Sequence, residues 1–202
     1  MGAVCKLRIL ADELDINMEE AKRYMGYAKG ADVSDAEDIL KRAHDDIKSA
    51  LKPSVCYTIT FVKIAENLVD FGLIQMKSDA LSRNLKGCGS AFLFAATAGP
   101  LVDRLIAKKQ RFSLAEGAIY DAVGSAAAEA VCNEACRRFE EMAGSKPKPR
   151  FSPGYGDLDI SIQPDFLRVL DAGRKCGITL TDNYLMAPLK SVTAIAGIKS
   201  QN

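Results

Sequence analysis

One carboxylate and one guanidinium stand out by the company they keep. Ala115, Ala118, Ala122, Ser125, Glu129, Cys132 and Cys136 recur at three- and four-residue spacing, which puts them on one stripe of a helix. Apart from the glutamate, the stripe carries small side chains, so a second backbone or a flat ligand can approach it closely. A carboxylate placed there is partly desolvated unless a cation or a hydrogen-bond donor meets it. Arg150 follows the basic, proline-broken run GSKPKP and opens RFSPGY. Pro153 and Gly154 satisfy the backbone angles of a turn, but a turn has no need of an arginine or of Tyr155. The planar fork of arginine suits a carboxylate, and backbone N–H groups around Pro153 and Gly154 can cradle a polar atom. Tyr155 adds a flat face or a hydroxyl. Together these groups suit a small zwitterion or a ligand with separated charges. Each also has a plainer reading: Glu129 as a structural salt bridge beneath a close helix-to-sheet contact, and Arg150 as a solvated residue beside a turn.

Other chemistries lack their residues. GCGSAF breaks the dinucleotide-binding glycine pattern after two glycines, and no phosphate-loop motif occurs. Cys132 and Cys136 sit one helical turn apart without a second cysteine pair to complete a zinc site, and read as packing residues. Cys88, after Gly87, is a conceivable nucleophile, but the single histidine, His44, lies in an acidic HDD neighbourhood and reads as a solvated helix residue. Asp157 and Asp159 are too few for calcium.

The elements that must position these groups come next. The 202 residues can bury a substantial core as one domain. The 27 Lys+Arg against 26 Asp+Glu leave a net charge of +1, which gives no electrostatic reason to expect nucleic acid or an anionic membrane as partner. The six cysteines are scattered, and no signal peptide or membrane-length apolar run is apparent; reduced thiols in a cytoplasm are expected. MEEAKRYMGYAKG predicts a helix stopped by Gly30, and SDAEDILKRAHDDIKSAL a second helix opened by a Ser34–Glu37 capping box, with Ile39, Ala43, Ile47 and Leu51 as its buried stripe. These form an N-terminal helical arm or lid over residues 1–52, packing on a main domain of residues 53–202. In that domain SVCYTITFVKI reads as a strand, SDALSRNL as a helix capped by Ser78, and GSAFLFAATAG as a strand buried on both faces. PLVDRLIAKK is a helix with Pro100 in its first turn, and a Ser113–Glu116 capping box opens the longest helix, which runs to Met142. DLDISI reads as a strand, QPDFLRVLDAGRKCG as one helix, and GITLTD and SVTAIAGIK as extended segments. The fold class is α+β, with a mixed or antiparallel sheet flanked by helices.

From Arg150 onward the chain resembles the activation domain of cobalamin-dependent methionine synthase. The matched elements are R-x-x-P-G-Y at 150–155, the helix with Leu167 and Leu170, G-I-x-L-T at 177–181, M-x-P at 186–188, and Ser191 with Val192. A weaker likeness extends upstream through LKGCGSAFLFAATAGP and DAVGSAAAEAVCNEA. The resemblance implies binding of S-adenosylmethionine by Glu129, Arg150, Ser152, Gly154 and Tyr155. Arg150 would hold the methionine carboxylate, the turn would bind polar ligand atoms, and Glu129 would meet the cationic amino-acid end. It further implies a free-standing protein, inactive alone, that supports reductive methylation of cobalamin carried in trans by a separate methionine synthase. Its partners would be the cobalamin-binding modules of that enzyme and an electron donor such as flavodoxin or ferredoxin. An acid that the family places shortly before the arginine lacks a counterpart, the nearest being Glu140 and Glu141. A scaffold, or a repair partner of another corrinoid protein, that keeps the fold without the ligand is the alternative.

Overall fold

The computed structural model describes residues 2–28 and 34–200, apart from the side chain of Asp35. Strand β1 (Cys5–Leu7) and a 3-10 turn precede two helices, α1 (Met18–Tyr24) and α2 (Glu37–Ala50). Strand β2 (Ser54–Phe61) leads into the ribbon β3 (Lys63–Ala65), β4 (Leu68–Asp70) and β5 (Gln75–Lys77), and then into α3 (Asp79–Asn84). The strand β6 (Cys88–Thr97) is followed by α4 (Pro100–Phe112) and by α5 (Leu114–Ala143), which at 30 residues is roughly 45 Å long. The chain continues through α6 (Gln163–Val169), α7 (Ala172–Cys176), the hairpin β7 (Thr179–Leu180) and β8 (Met186–Ala187), and β9 (Ser191–Lys199). The main sheet has the order β1-β2-β6-β9 and is antiparallel throughout.

The sheet separates two cores, and β6 explains why. Its side chains alternate between faces, so Phe92, Phe94 and Ala96 join one apolar cluster while Ala91, Leu93 and Ala95 join the other. On the first face lie α1, α2, α4 and α5. Ala21, Leu40, Ala43 and Ile47 share their cluster with Val123, Ala127 and Val131 of α5, so the N-terminal helices pack into the same core that the long helix builds. On the second face lie the ribbon, α3, α6 and α7, through Val69, Met76, Leu81, Phe166 and Ala172.

Phe139 is the hub of the first core. Its ring stacks on Phe92 at 4.1 Å between centroids and meets Phe94 edge-on at 5.2 Å. The helical hairpin α4–α5 closes tightly because of two glycines: a Cβ on Gly117 would fall 2.7 Å from the Gln110 Cα, and one on Gly124 would fall 2.8 Å from the Ile106 Cδ1. Glycine inside a helix costs on the order of 1 kcal/mol relative to alanine, and the close approach of α4 offsets that cost. Ser113 caps α5 by accepting from the Glu116 N–H, but the Glu116 carboxylate turns to Lys109 at 2.8 Å, so the expected capping box is half made.

Several expectations are corrected. Helix α2 starts at Glu37 with Ala36 as its N-cap, after a 3-10 turn at Ser34–Ala36, and Leu40 rather than Ile39 is its first buried residue. The first helix ends at Tyr24, not at Gly30, because Met25 caps it and Gly26 takes a positive φ of 87°; Gly30 itself lies outside the described residues. The strand read over SVCYTITFVKI divides, with Val62 between β2 and β3. DLDISI is not a strand: Asp157 and Asp159 accept backbone N–H groups, which diverts the chain into a 3-10 turn at Ile160–Ile162. The helix read over QPDFLRVLDAGRKCG is two, because Asp171 adopts the left-handed conformation (φ 45°) between α6 and α7.

Phe139→Ala is expected to cost roughly 3–5 kcal/mol, the range for emptying a packed aromatic site, measured by urea unfolding. A loss below about 1 kcal/mol would show that the stacked cluster does not carry this core.

Candidate functional site

The turn that carries Arg150 is fixed to the edge of the main sheet. Phe151 exchanges two backbone hydrogen bonds with Ile195 of β9, at 3.0 and 2.8 Å, and the Lys148 N–H donates to the Gly197 carbonyl at 2.7 Å. Residues 148–151 thus run along β9 as a short added edge. Beyond them the turn closes on itself, with the Gly154 N–H donating to the Leu158 carbonyl and the Tyr155 N–H to the Ser152 carbonyl. These two N–H groups are therefore occupied internally, which corrects the expectation of a free backbone cradle at this point. The far end is held by Asp157, whose carboxylate accepts from Ser78 Oγ and from the Asp79 and Ala80 N–H groups at 2.7 and 3.1 Å, capping α3 from outside. The Ser78 hydroxyl and the Ala80 amide draw the Asp157 pKa down to about 2.

Because Phe151 packs toward the second core, its neighbour Arg150 faces the other way, onto α5. There its Nη2 donates to Glu129 Oε2 at 2.6 Å and to Asn133 Oδ1 at 3.0 Å. Both partners of the ion pair are about one quarter exposed. The Nη1 of Arg150 is buried and, among the described residues, makes no hydrogen bond to nitrogen or oxygen; the Cys132 thiol lies beside it. Cys132 is fully buried beside it, its thiol pushed up to about 12 by burial and drawn back in part by the arginine charge. Tyr24 of α1 is also in the neighbourhood: burial, and next the Glu129 carboxylate, push its hydroxyl pKa up.

Two grooves flank the pair along α5. One, of about 660 Å³, is lined by Ala115, Ala118, Ala122 and Ser125 of the small-residue stripe, with Tyr24 and Tyr27 among the residues opposite. The other, of about 330 Å³, is bounded by Asn133, Cys136 and residues 146–150. Glu129 occupies the helical turn between Ser125 and Asn133, so the charge pair stands between an aromatic-walled groove and a basic one. At the far side Lys190 Nζ meets Asp121 Oδ1 and Ser125 Oγ, each at 2.9 Å.

Of the residues expected from sequence, the fold brings Glu129 and Arg150 into contact. Ser152 and Gly154 build the turn, and Tyr155, 60% exposed, packs edge-on to Phe151 at 6.4 Å. Sequence reading does not single out Asn133 or Tyr24. Asn133 follows Glu129 by four residues, which places it one helical turn on beside the stripe's Cys132, whereas nothing in the local sequence ties Tyr24 to it. The Cys88 thiol is buried and pushed up by that burial, which suppresses the thiolate a nucleophile requires. Among the described residues no group of three His, Cys, Asp or Glu side chains can hold a metal, and no helix is long and apolar enough to cross a membrane.

Comparison with known structures assigns the architecture. A crystal structure of the MetH reactivation domain bound to AdoHcy superposes with a TM-score of 0.73 over 99% of this chain and 80% of that one, at 15% sequence identity. The fold is that of a MetH reactivation domain. No protein-family model and no curated protein matches the sequence, so the likeness rests on three-dimensional form: helices flanking antiparallel sheets in a single domain.

The low pKa of Asp157 generates a pH dependence. Its folded value lies below the ordinary 3.8, so its contribution to stability is complete above about pH 4 and disappears as pH falls toward 2. Wild type is expected to be more stable than Asp157→Asn at pH 6, with the gap narrowing between about pH 4 and pH 2 in thermal unfolding scans. A gap that stays constant over that window would exclude the carboxylate as the source.

Proposed function

We propose that this protein binds S-adenosylmethionine between α5 and the Arg150 turn, and supports reductive methylation of a cobalamin cofactor carried by a separate methionine synthase module. The carrying observation is the meeting of Glu129 and Arg150, from segments 21 residues apart, with donor and acceptor capacity left over on both. Both side chains are about one quarter exposed, and the arginine engages one carboxylate oxygen of Glu129. A ligand that carries a carboxylate and a cationic centre can be held by both side chains at once, so that one internal ion pair becomes two external ones without leaving a charge unmatched. The residues present therefore fit an amino-acid sulfonium.

Bound there, S-adenosylmethionine supplies an electrophilic methyl group. The chain contributes position and field. Arg150 orients the carboxylate end, Glu129 and Asn133 meet the amino end, and the small stripe at Ala118 and Ala122 with Tyr24 and Tyr27, edged by the polar Gln110 and Asp121, leaves a slot for a ring system. The cobalamin-bearing module would dock over this slot, and a flavodoxin or ferredoxin would deliver the electron. The fold match to a domain crystallised with AdoHcy supports the ligand class.

A second reading is favoured by the same 2.6 Å contact: Glu129 and Arg150 already neutralise each other, as in a structural ion pair of a scaffold or corrinoid repair partner that does not bind the ligand. Titration decides between them. S-Adenosylmethionine at 100 times its Kd should stabilise the native state by about 2.7 kcal/mol and raise Tm accordingly. Arg150→Ala should weaken binding by about 1.5–3 kcal/mol, roughly 10- to 150-fold, by calorimetry. Equal affinity in the variant, or no Tm rise in wild type at millimolar ligand, selects the scaffold.

A further inference from the structure

The second core holds a thiol pair that the proposed ligand site does not use. Cys56 is fully buried in β2, held in the ladder between Lys6 of β1 and Ala95 of β6. Cys176 ends α7 and is 8% exposed. The two lie 120 residues apart in sequence, yet their sulfurs are 3.0 Å from each other. A disulfide requires about 2.05 Å, so a relative movement of about 1 Å brings the sulfurs to bonding distance. The two supports differ in freedom. Cys56 is anchored by strands on both sides, whereas α7 is five residues long and bounded by left-handed residues, Asp171 and Gly177. The movement therefore falls to Cys176.

We propose that Cys56 and Cys176 form a reversible disulfide when the protein meets a hydroperoxide, locking α7 to the main sheet. The Cys176 thiolate attacks one peroxide oxygen and the O–O bond breaks; the departing oxygen takes a proton and leaves as water, with sulfenic acid on Cys176. The Cys56 sulfur then attacks the sulfenic sulfur, the S–O bond breaks, and a second water leaves with the Cys56 proton. Two thiols lose two electrons and hydrogen peroxide is reduced to two waters.

The division of roles follows from the contact itself. The hydrogen bond from the Cys56 thiol draws the Cys176 pKa down, while that same contact, and then burial, push Cys56 up. Cys176 has the small exposed surface and so meets the peroxide first, whereas Cys56, fully buried, keeps its proton for the second step. The other four thiols lack such a partner. Cys5 is exposed, Cys88 and Cys132 are buried singly, and Cys132 and Cys136 are spaced along one helix rather than facing across an interface. The disulfide would enclose a loop that contains β6, α5 and the Arg150 turn, so it would restrict the unfolded chain strongly.

The full chain, treated with stoichiometric hydrogen peroxide, denatured with an alkylating agent and mapped by mass spectrometry, tests this. A peptide pair joining Cys56 to Cys176, two hydrogens lighter than the reduced pair and separated by dithiothreitol, is expected. With it should come a Tm rise on the order of 10 °C, absent in Cys176→Ser and in Cys56→Ala. The wild-type peptide map decides even if either variant folds poorly. Full alkylation of both residues after Cys5 has been oxidised, or Cys176 recovered as a sulfinic acid without a cross-link, overturns the proposal.

Discussion

Two backbone hydrogen bonds between Phe151 and Ile195 set the geometry on which the candidate site depends. An extended segment sends successive side chains to opposite faces. Once Phe151 is committed to the second core, Arg150 has to face α5. The aromatic ring is the anchor and the guanidinium the consequence. Asp157 secures the other end of the same segment to α3, so the turn is held at both ends by groups that never touch the charge pair.

The long helix is the matching half of the device. Its glycines let α4 approach on one side, Phe139 anchors it to the sheet, and its stripe of small residues leaves a groove that Tyr24 and Tyr27 help to wall. Glu129 is stabilised in that setting because a cation meets it, and Arg150 tolerates partial burial because an acid and an amide meet it. Desolvation makes each group dependent on the other, and a ligand with two opposite charges is the chemistry that can replace that mutual dependence.

The two faces of the sheet differ in character. The α5 face is dominated by one long helix and by aromatic stacking, whereas the opposite face is assembled from short pieces, none of the helices there exceeding seven residues. Short helices draw little stability from their own hydrogen bonds, so that layer relies on side chains such as Leu81, Phe166 and Leu170. Cys176 sits within this layer of short elements, facing a strand paired on both sides.

Much of this was legible in the residue order. The doubly buried strand at Cys88–Thr97, the caps at Ser78 and Ser113, the extent of α5 and the stripe with Glu129 follow from periodicity and local hydrogen-bonding preference, which act over a few residues. Residues 157–162 imitate a strand by alternation, but two aspartates find backbone donors instead, and α6 and α7 read as one helix because helical periodicity runs on through Asp171, whose positive φ only the folded chain reveals. Local sequence placed Glu129 and Arg150 on their own elements. That they touch, that Tyr24 stands near them, and that Cys56 meets Cys176 were decided by the tertiary structure, because contact between distant segments is set by how whole faces pack and not by the residues flanking each one.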